Sequence, residues 1–443
     1  MKIGLNAQLL SDHSDYRSAG IHSYIAHLLR HMPAQAPADW QFQAMVGASS
    51  RASFDGVAMA RSRFDTSSSW RRILWEQVVQ PRHLRQFDLY HAMAFVAPLY
   101  LQAPTVVTVY DLSFLIFPGR LSAARRWYLR NSTAVTCRRA RGVVGSSRST
   151  AEDLTRLVGV NPDNIDVAPL GYDRAVFRPL PATTIEQFAA RQGLPARFWL
   201  FVGTLEPRKN LAMLLRAYAR LPRSQRLPLL LVGGKGWMTD DIFTTIEREG
   251  LQDSVRHVGF VPAADLPLWY NSAEAFLFPS IYEGFGLPVL EAMACGTPVV
   301  TADVSSLPEV AGDAGLCLPP EDSEPWADAL VSIKADLDWR EEAREKGLDR
   351  AGRFSWERTA ALTLDSYRKA LAASGLPLDK QEPDAIPQAR PKDQTLSYSM
   401  SVEQDLSMVT MELMRQSRCH SSVSATFWDL CADCAPSGSD NCL

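Results

Sequence analysis

Short apolar runs alternate with amphipathic stretches along most of the chain. Ile3 to Asn6, Thr105 to Val109 and Gly142 to Gly145 in the first half read as buried strands, as do Trp199 to Gly203, Leu229 to Gly233, Ala275 to Phe278 and Pro298 to Thr301 in the second. Between them apolar residues recur at helical spacing: Ile25, Leu28 and Leu29 share one face, and Leu211, Leu214, Leu215, Tyr218 and Leu221 another. Strands alternating with such helices predict parallel sheets joined by crossover connections, an α/β class with two doubly wound domains. The expected boundaries are residues 1–180 and 185–354. Pro179, Pro181, Gly193 and Pro195 mark the stretch from Pro179 to Arg197 as the linker region. From residue 372 to 443 the pattern fades. Pro377, Pro383, Pro387 and Pro391 interspersed with charge predict a flexible tail.

One stretch carries distinctive chemistry, Pro279 to Gly296. It follows an apolar strand, turns through Gly284 and Gly286, and places Pro288 where the first turn of a helix accepts it and Gly296 where that helix can end. Glu283 is therefore expected in the loop and Glu291 within the helix. Glycines let backbone N–H groups near a positive helix terminus approach an anionic or polyhydroxyl ligand closely. Carboxylates only accept hydrogen bonds, which suits sugar and ribose diols. A second strand, Trp199 to Gly203, runs into Thr204-Leu205-Glu206-Pro207-Arg208-Lys209-Asn210 and then a helix. Two fixed cations beside a helix start neutralise a leaving diphosphate without a metal.

These segments resemble the retaining glycosyltransferases of family 4, whose two-domain GT-B fold carries an E-x7-E motif filled here by Glu283 and Glu291. The resemblance covers about residues 1 to 370. It implies that Glu283 and the amides of Gly284, Phe285 and Gly286, with Leu287 following, hold the donor sugar. Glu291 would bind the nucleotide ribose, and Arg208 with Lys209 would stabilise the departing diphosphate beside Gly203. The family often has arginine directly after that glycine, where this chain has Thr204. It also implies that the helix over residues 355–371 crosses back to the first domain.

On the first domain, Gly20 in Ala19-Gly20-Ile21-His22-Ser23-Tyr24 resembles the family's N-terminal glycine loop near the donor phosphates and equally suits a helix cap. The strand ending in Val109-Tyr110-Asp111 resembles one that commonly ends in His-Asp, with tyrosine replacing histidine. A phenol with a reference pKa of about 10 donates a hydrogen bond but is a poor base at neutrality. Asp111 is the expected acceptor-side carboxylate, with Tyr110 and His91 as further acceptor-side candidates. The sequence around Tyr282 to Pro288 and Asp111 to Phe114 resembles bacterial mannosyltransferases of polysaccharide assembly, which implies GDP-mannose as donor. UDP-glucose is the nearest competitor. A UDP-sugar epimerase of the same fold and a non-catalytic membrane-docked scaffold are the alternatives.

Composition changes this picture in one respect. The 46% hydrophobic and 21% charged content is that of a soluble globular chain. No apolar run nears the roughly 20 residues that span a bilayer, and the N-terminus lacks a secretory pattern, so a cytoplasmic enzyme is expected. Yet the net charge of −3 hides an asymmetry: residues 1–150 carry eighteen cationic against eight acidic side chains, a net of +10. Arg71-Arg72, Arg125-Arg126 and Arg138-Arg139 stand near Trp70, Trp75, Trp127 and Tyr128, which predicts peripheral contact with an anionic membrane carrying a lipid-linked acceptor. No nucleic-acid motif accompanies the charge. Gly233-Gly234-Lys235-Gly236 lacks the spacing of a phosphate-binding P-loop. Seven cysteines argue against a disulfide scaffold, and Cys431 and Cys434 have no second pair to complete a zinc site. The expected partners are thus a nucleotide sugar and a glycan or lipid-linked hydroxyl, with no metal cofactor.

Overall fold

The computed structural model describes residues 1–10, 19–63, 66, 68–117, 119 and 121–375. The cysteine-bearing tail beyond residue 375 lies outside the described residues, as do residues 11–18 ahead of the Gly20 segment. Two parallel sheets organise the rest. The first contains β1 (Lys2–Asn6), β2 (Gln41–Val46), β3 (Val57–Arg61), β4 (Leu89–Ala92), β5 (Thr105–Val109), β6 (Gly142–Gly145) and β7 (Ile165–Val167), in the order β3-β2-β1-β4-β5-β6-β7. The second contains β8 (Trp199–Val202), β9 (Leu229–Val232), β10 (Val255–Gly259), β11 (Ala275–Phe278), β12 (Val299–Ala302) and β13 (Gly315–Leu318), in the order β10-β9-β8-β11-β12-β13.

Both sheets reverse strand order at an internal pair, β1/β4 in the first and β8/β11 in the second. Open α/β sheets bind ligands outside the carboxyl ends of their strands at such a switch point. The loops after β8 and β11, which carry Arg208, Lys209 and Glu283, leave from that pair.

The central strands are buried along their whole length, as parallel strands covered by helices on both faces must be. Phe278 on β11 stacks with Phe201 on β8 at 5.9 Å between ring centroids and with Phe276 on its own strand at 5.5 Å, and the three rings form the floor under the switch point. The apolar runs named from sequence match these strands to within a residue. Strands β2, β3, β4, β7, β10 and β13 were not among them: β3, β7, β10 and β13 lie at sheet edges and are partly exposed, and polar residues interrupt the short runs of β2 and β4. The proline-marked stretch from Pro179 to Arg197 is not a bare connection. It contains the helix Ala182–Gln192, whose Phe188 packs edge-on against Trp269 at 5.4 Å.

The helix Trp356–Ala372 lies on the first sheet, against β5, β6 and β7. Two glycines make room for it. A Cβ on Gly142 would sit 2.8 Å from Ser366 Oγ, and one on Gly171 only 2.2 Å from the Trp356 nitrogen. Thr359 Oγ1 donates to the Pro169 carbonyl at 2.6 Å, closing the seam.

Candidate active site

The loop after β8 forms a short 3-10 turn, Pro207–Lys209, before the helix Leu211–Arg220, which places both cations at a helix start. Lys209 is buried, with its Nζ 4.7 Å from the Phe278 ring centroid. It donates to Glu283 Oε1 at 2.5 Å, while Arg208 Nη1 donates to Glu283 Oε2 at 2.8 Å and to the Tyr282 carbonyl at 2.6 Å. Ser280 Oγ adds a third donor to the carboxylate at 2.6 Å. Burial by itself would raise the Glu283 pKa. Arg208 and Lys209 overcome it and hold the group at about 2, fully ionised.

Glu283 is held through its backbone too. Ser305 Oγ accepts from its N–H at 3.2 Å and donates to its carbonyl at 2.6 Å, and Ser306 Oγ donates to the same carbonyl at 2.9 Å. Ser305 adopts a φ of 58°, a left-handed conformation that costs a β-carbon residue energy and clusters at functional loops. Gly286, with φ 108°, opens the helix Leu287–Ala294. Phe285 turns its ring inward onto Phe354 at 5.8 Å, so only its backbone faces the loop. Glu291 lies in that helix and is half-buried, accepting from Tyr270 OH at 3.1 Å. Burial lifts its pKa to about 8.

Gly203 ends β8 in a conformation, φ 155°, that side-chain-bearing residues rarely adopt. Its carbonyl lies so close to Gly233 that a Cβ there would sit at 2.0 Å, so the β8 and β9 loops touch through bare backbone.

The first domain meets this site at Tyr110 and Asp111. Gly284 lies against them so tightly that a Cβ would come within 2.0 Å of the Tyr110 carbonyl and 2.8 Å of Asp111 Cβ. Asp111 is partly exposed, accepts from the Ser113 N–H at 3.0 Å and lies within electrostatic reach of Arg208. The structure therefore brings Arg208, Lys209, Glu283, Gly284 and Asp111 together.

Two acceptor-side expectations require correction. His91 lies inside β4, fully buried, with Nδ1 2.6 Å from Tyr367 OH and Nε2 2.8 Å from Thr108 Oγ1, and so does not face an acceptor. Burial lowers its pKa to about 3, and it serves as a neutral core residue tying β4 to the returning helix. Tyr110 turns its ring into the core, edge-on to Tyr24 and Phe95, and its hydroxyl donates to the Met93 carbonyl at 2.5 Å. Only its backbone reaches the site. Gly20 is exposed near the start of the helix Ala19–His31, and a side chain there would meet open space.

Residues 185–350 match the family described as Glycosyl transferases group 1, and residues 18–176 match Glycosyltransferase Family 4. The O-antigen chain mannosyltransferase B of Escherichia coli is 36% identical over 282 residues, 63% of this chain and 74% of that protein. The chain is a family 4 glycosyltransferase. Its similarity extends to a D-inositol 3-phosphate glycosyltransferase of Paenarthrobacter aurescens, 35% identical over 243 residues, 53% of this chain and 59% of that one. The serotype-specific mannosyltransferase WbdA of Escherichia coli is 32% identical over 254 residues, 56% of this chain and 30% of that protein. Among solved structures, sucrose-phosphate synthase from Thermosynechococcus elongatus superposes with a TM-score of 0.65 at 24% identity, covering 84% of this chain and 99% of that one. WaaG, a glycosyltransferase involved in lipopolysaccharide biosynthesis, gives 0.64 at 17%, covering 82% and 98%. The fold is GT-B, two Rossmann-like domains across a cleft.

In this glycosyltransferase Glu206 is a site residue that escaped the sequence reading. Glu206 is buried and accepts from Arg208 Nε at 3.0 Å, from Arg208 Nη2 at 2.7 Å and from Trp237 Nε1 at 3.2 Å. It faces the arginine fork from the side opposite Glu283 and so fixes the plane of the guanidinium. An acidic residue two positions before an arginine is common in loops, so its pattern carries no signal. Only the fold brings Trp237, from the β9 loop, onto the same carboxylate.

Proposed function

We propose that the enzyme transfers a hexose from a nucleotide diphosphate sugar to a hydroxyl of a glycan or lipid-linked acceptor in surface polysaccharide assembly, with retention at the anomeric carbon. The observation that carries this reading is the buried Arg208–Lys209–Glu283 cluster at the switch point of the second sheet. In it, residues 185–354 form the donor side, and residues 1–180 with the helix at 355–371 form the acceptor side.

Glu283 and the amides of Gly284, Phe285 and Gly286 hold the donor sugar, Glu291 takes the ribose, and Gly203, Leu287 and Gly20 border the nucleotide. Arg208 and Lys209 stabilise the diphosphate as the bond from the anomeric carbon to its phosphate oxygen breaks. The acceptor oxygen bonds to the same face of that carbon, and its proton passes to the departing phosphate oxygen. Asp111 orients the acceptor hydroxyl. Fixed cations in a water-poor site supply the charge stabilisation, so this scheme uses no metal. Glu283 is fully ionised by its two cations, which suits an acceptor of sugar hydroxyl protons.

The mannosyltransferase names of two relatives support mannose as the sugar and GDP-mannose as the donor. An exposed face of the first domain supports a membrane-borne acceptor. Trp70, Leu74 and Val78 project at four-residue intervals from the helical run 69–84, and Trp127 is exposed on the helix Ala123–Arg139, with the Arg71 guanidinium 5.4 Å from the Trp70 ring centroid. Exposed aromatic and aliphatic side chains among arginines fit the interface of an anionic bilayer. Among the described residues no helix is long and apolar enough to cross a membrane, so this reading is of peripheral contact at the cytoplasmic face.

Incubation with GDP-mannose or UDP-glucose and a mannose-terminated acceptor, followed by NMR of the product, tests the reading. An α-mannosyl product from GDP-mannose is expected. Transfer from UDP-glucose alone replaces the donor, and a β-linked mannoside contradicts retention.

A further inference from the structure

We propose that Ser146, Thr150 and Asp153, on the segment that follows β6, are positioning residues for Glu283. They hold the peptide units on either side of it, so its sugar-binding geometry forms only where loops of the two domains meet. The inference rests on the reading of Glu283 as the residue that holds the donor sugar.

Glu283 is flanked by Tyr282 and Gly284, and both are gripped from the first domain. Tyr282 OH donates to Asp153 Oδ2 at 2.9 Å and accepts from the Leu112 N–H at 3.0 Å. Tyr282 and Asp153 are both buried, so neither bond is diluted by solvent. On the other side, the Gly284 carbonyl has Ser146 Oγ at 2.8 Å and Thr150 Oγ1 at 3.1 Å. The same two hydroxyls lie 2.6 and 3.2 Å from the Tyr110 carbonyl. Ser147 Oγ donates to Thr150 Oγ1 at 3.0 Å, which leaves the threonine proton free to point at the two carbonyls. From the second domain, the Glu309 carboxylate accepts the Arg148 N–H at 3.0 and 3.1 Å and holds this segment in place.

The loop needs such support. Gly284 and Gly286 lack side chains, and glycines give a free backbone the widest choice of conformations. Contacts to Arg208, Lys209, Ser280, Ser305 and Ser306 come from Glu283's own domain and persist when the two domains part. Those to Asp153, Leu112, Ser146 and Thr150 do not. A loop fixed by both sets is preorganised, and small displacements of a ligand-holding group lower rates steeply.

The test compares binding of GDP and of GDP-mannose by calorimetry on the full chain, with UDP and UDP-glucose in parallel so that a different donor nucleotide does not mask the result. The readout is the ratio of nucleotide-sugar affinity to nucleotide affinity, which a role in general stability does not move. Tyr282→Phe and Asp153→Ala are each expected to lower the ratio about tenfold, the scale of one lost hydrogen bond to a charged group. Nucleotide affinity stays within about twofold. The double variant loses no more than either single one, and Asp153→Asn, which keeps an acceptor for Tyr282, restores the ratio. If Glu283→Gln lowers the ratio while Tyr282→Phe and Asp153→Ala leave it unchanged, the positioning role is wrong. A ratio unmoved by Glu283→Gln overturns the reading of Glu283 itself and the proposal with it.

Discussion

The two edges of the cleft treat titratable groups in opposite ways. On the second domain, Glu206, Lys209 and Glu283 are buried around the half-buried Arg208, and each has an oppositely charged partner within 3.0 Å. On the first domain, His91 is buried neutral and Tyr110 half-buried, with their polar atoms spent on Tyr367, Thr108 and Met93, and Asp111 lies partly exposed at the rim, accepting from Ser113. Isolated buried charge is too costly to keep, whereas a paired network tolerates burial and stays fixed. Rigid electrostatics therefore reside on the second domain. The first domain contributes backbone, hydroxyls and the carboxylates of Asp111 and Asp153, an arrangement with fewer fixed charges.

The largest expected effect falls on the charged edge. Replacing Lys209 by Ala leaves Glu283 with one cation and removes the proposed diphosphate partner, and transfer should fall by about 10²–10³-fold in a steady-state assay. Retention of full activity would place the diphosphate elsewhere. Next comes the contact between the edges. Gly284→Ala inserts a Cβ into the Tyr110 carbonyl, so the loops must separate; a loss of about 1–3 kcal/mol in chemical denaturation together with reduced transfer is expected.

On the neutral edge the prediction is a dissociation between stability and chemistry. His91→Leu strands Tyr367 OH and leaves Thr108 Oγ1 with Tyr24 OH as its remaining side-chain partner, and should cost about 1–3 kcal/mol of stability. The pH dependence of kcat between pH 6 and about 8 should keep its shape. A basic limb that disappears in this variant would return His91 to the site. The smallest effect concerns Glu291. Its folded pKa, raised to about 8, exceeds its unfolded value of 4.5, so the protonated form favours folding and that contribution fades as pH rises from 4.5 through about 8. Thermal melts of Glu291→Gln should match the wild type near pH 5 and lie slightly above it at pH 9. Partial exposure keeps the difference small.

The same contrast governs what was legible in the sequence. The second domain's core strands and its site announced themselves, since Trp199 to Val202 and Ala275 to Phe278 are unbroken apolar runs and each is followed by glycines and charge in one contiguous segment. The first domain's contribution was misread at His91 and Tyr110. Strand periodicity says which residues alternate, but not that the returning helix 276 residues later supplies Tyr367 as a partner for His91. Glu206 and Asp153 were invisible for a related reason. Each is paired with a residue remote in sequence, Trp237 for Glu206 and Tyr282 for Asp153, and such pairings exist only in the fold.

The measurement that bears most directly on the central claim is a thermal-shift panel of GDP, UDP, ADP and dTDP without added metal, on the wild type and on Lys209→Ala. A ligand that binds the native state raises the melting temperature by mass action. The account predicts a selective shift with GDP that Lys209→Ala abolishes. A shift of equal size in both proteins would contradict a donor site built on the Arg208–Lys209–Glu283 cluster.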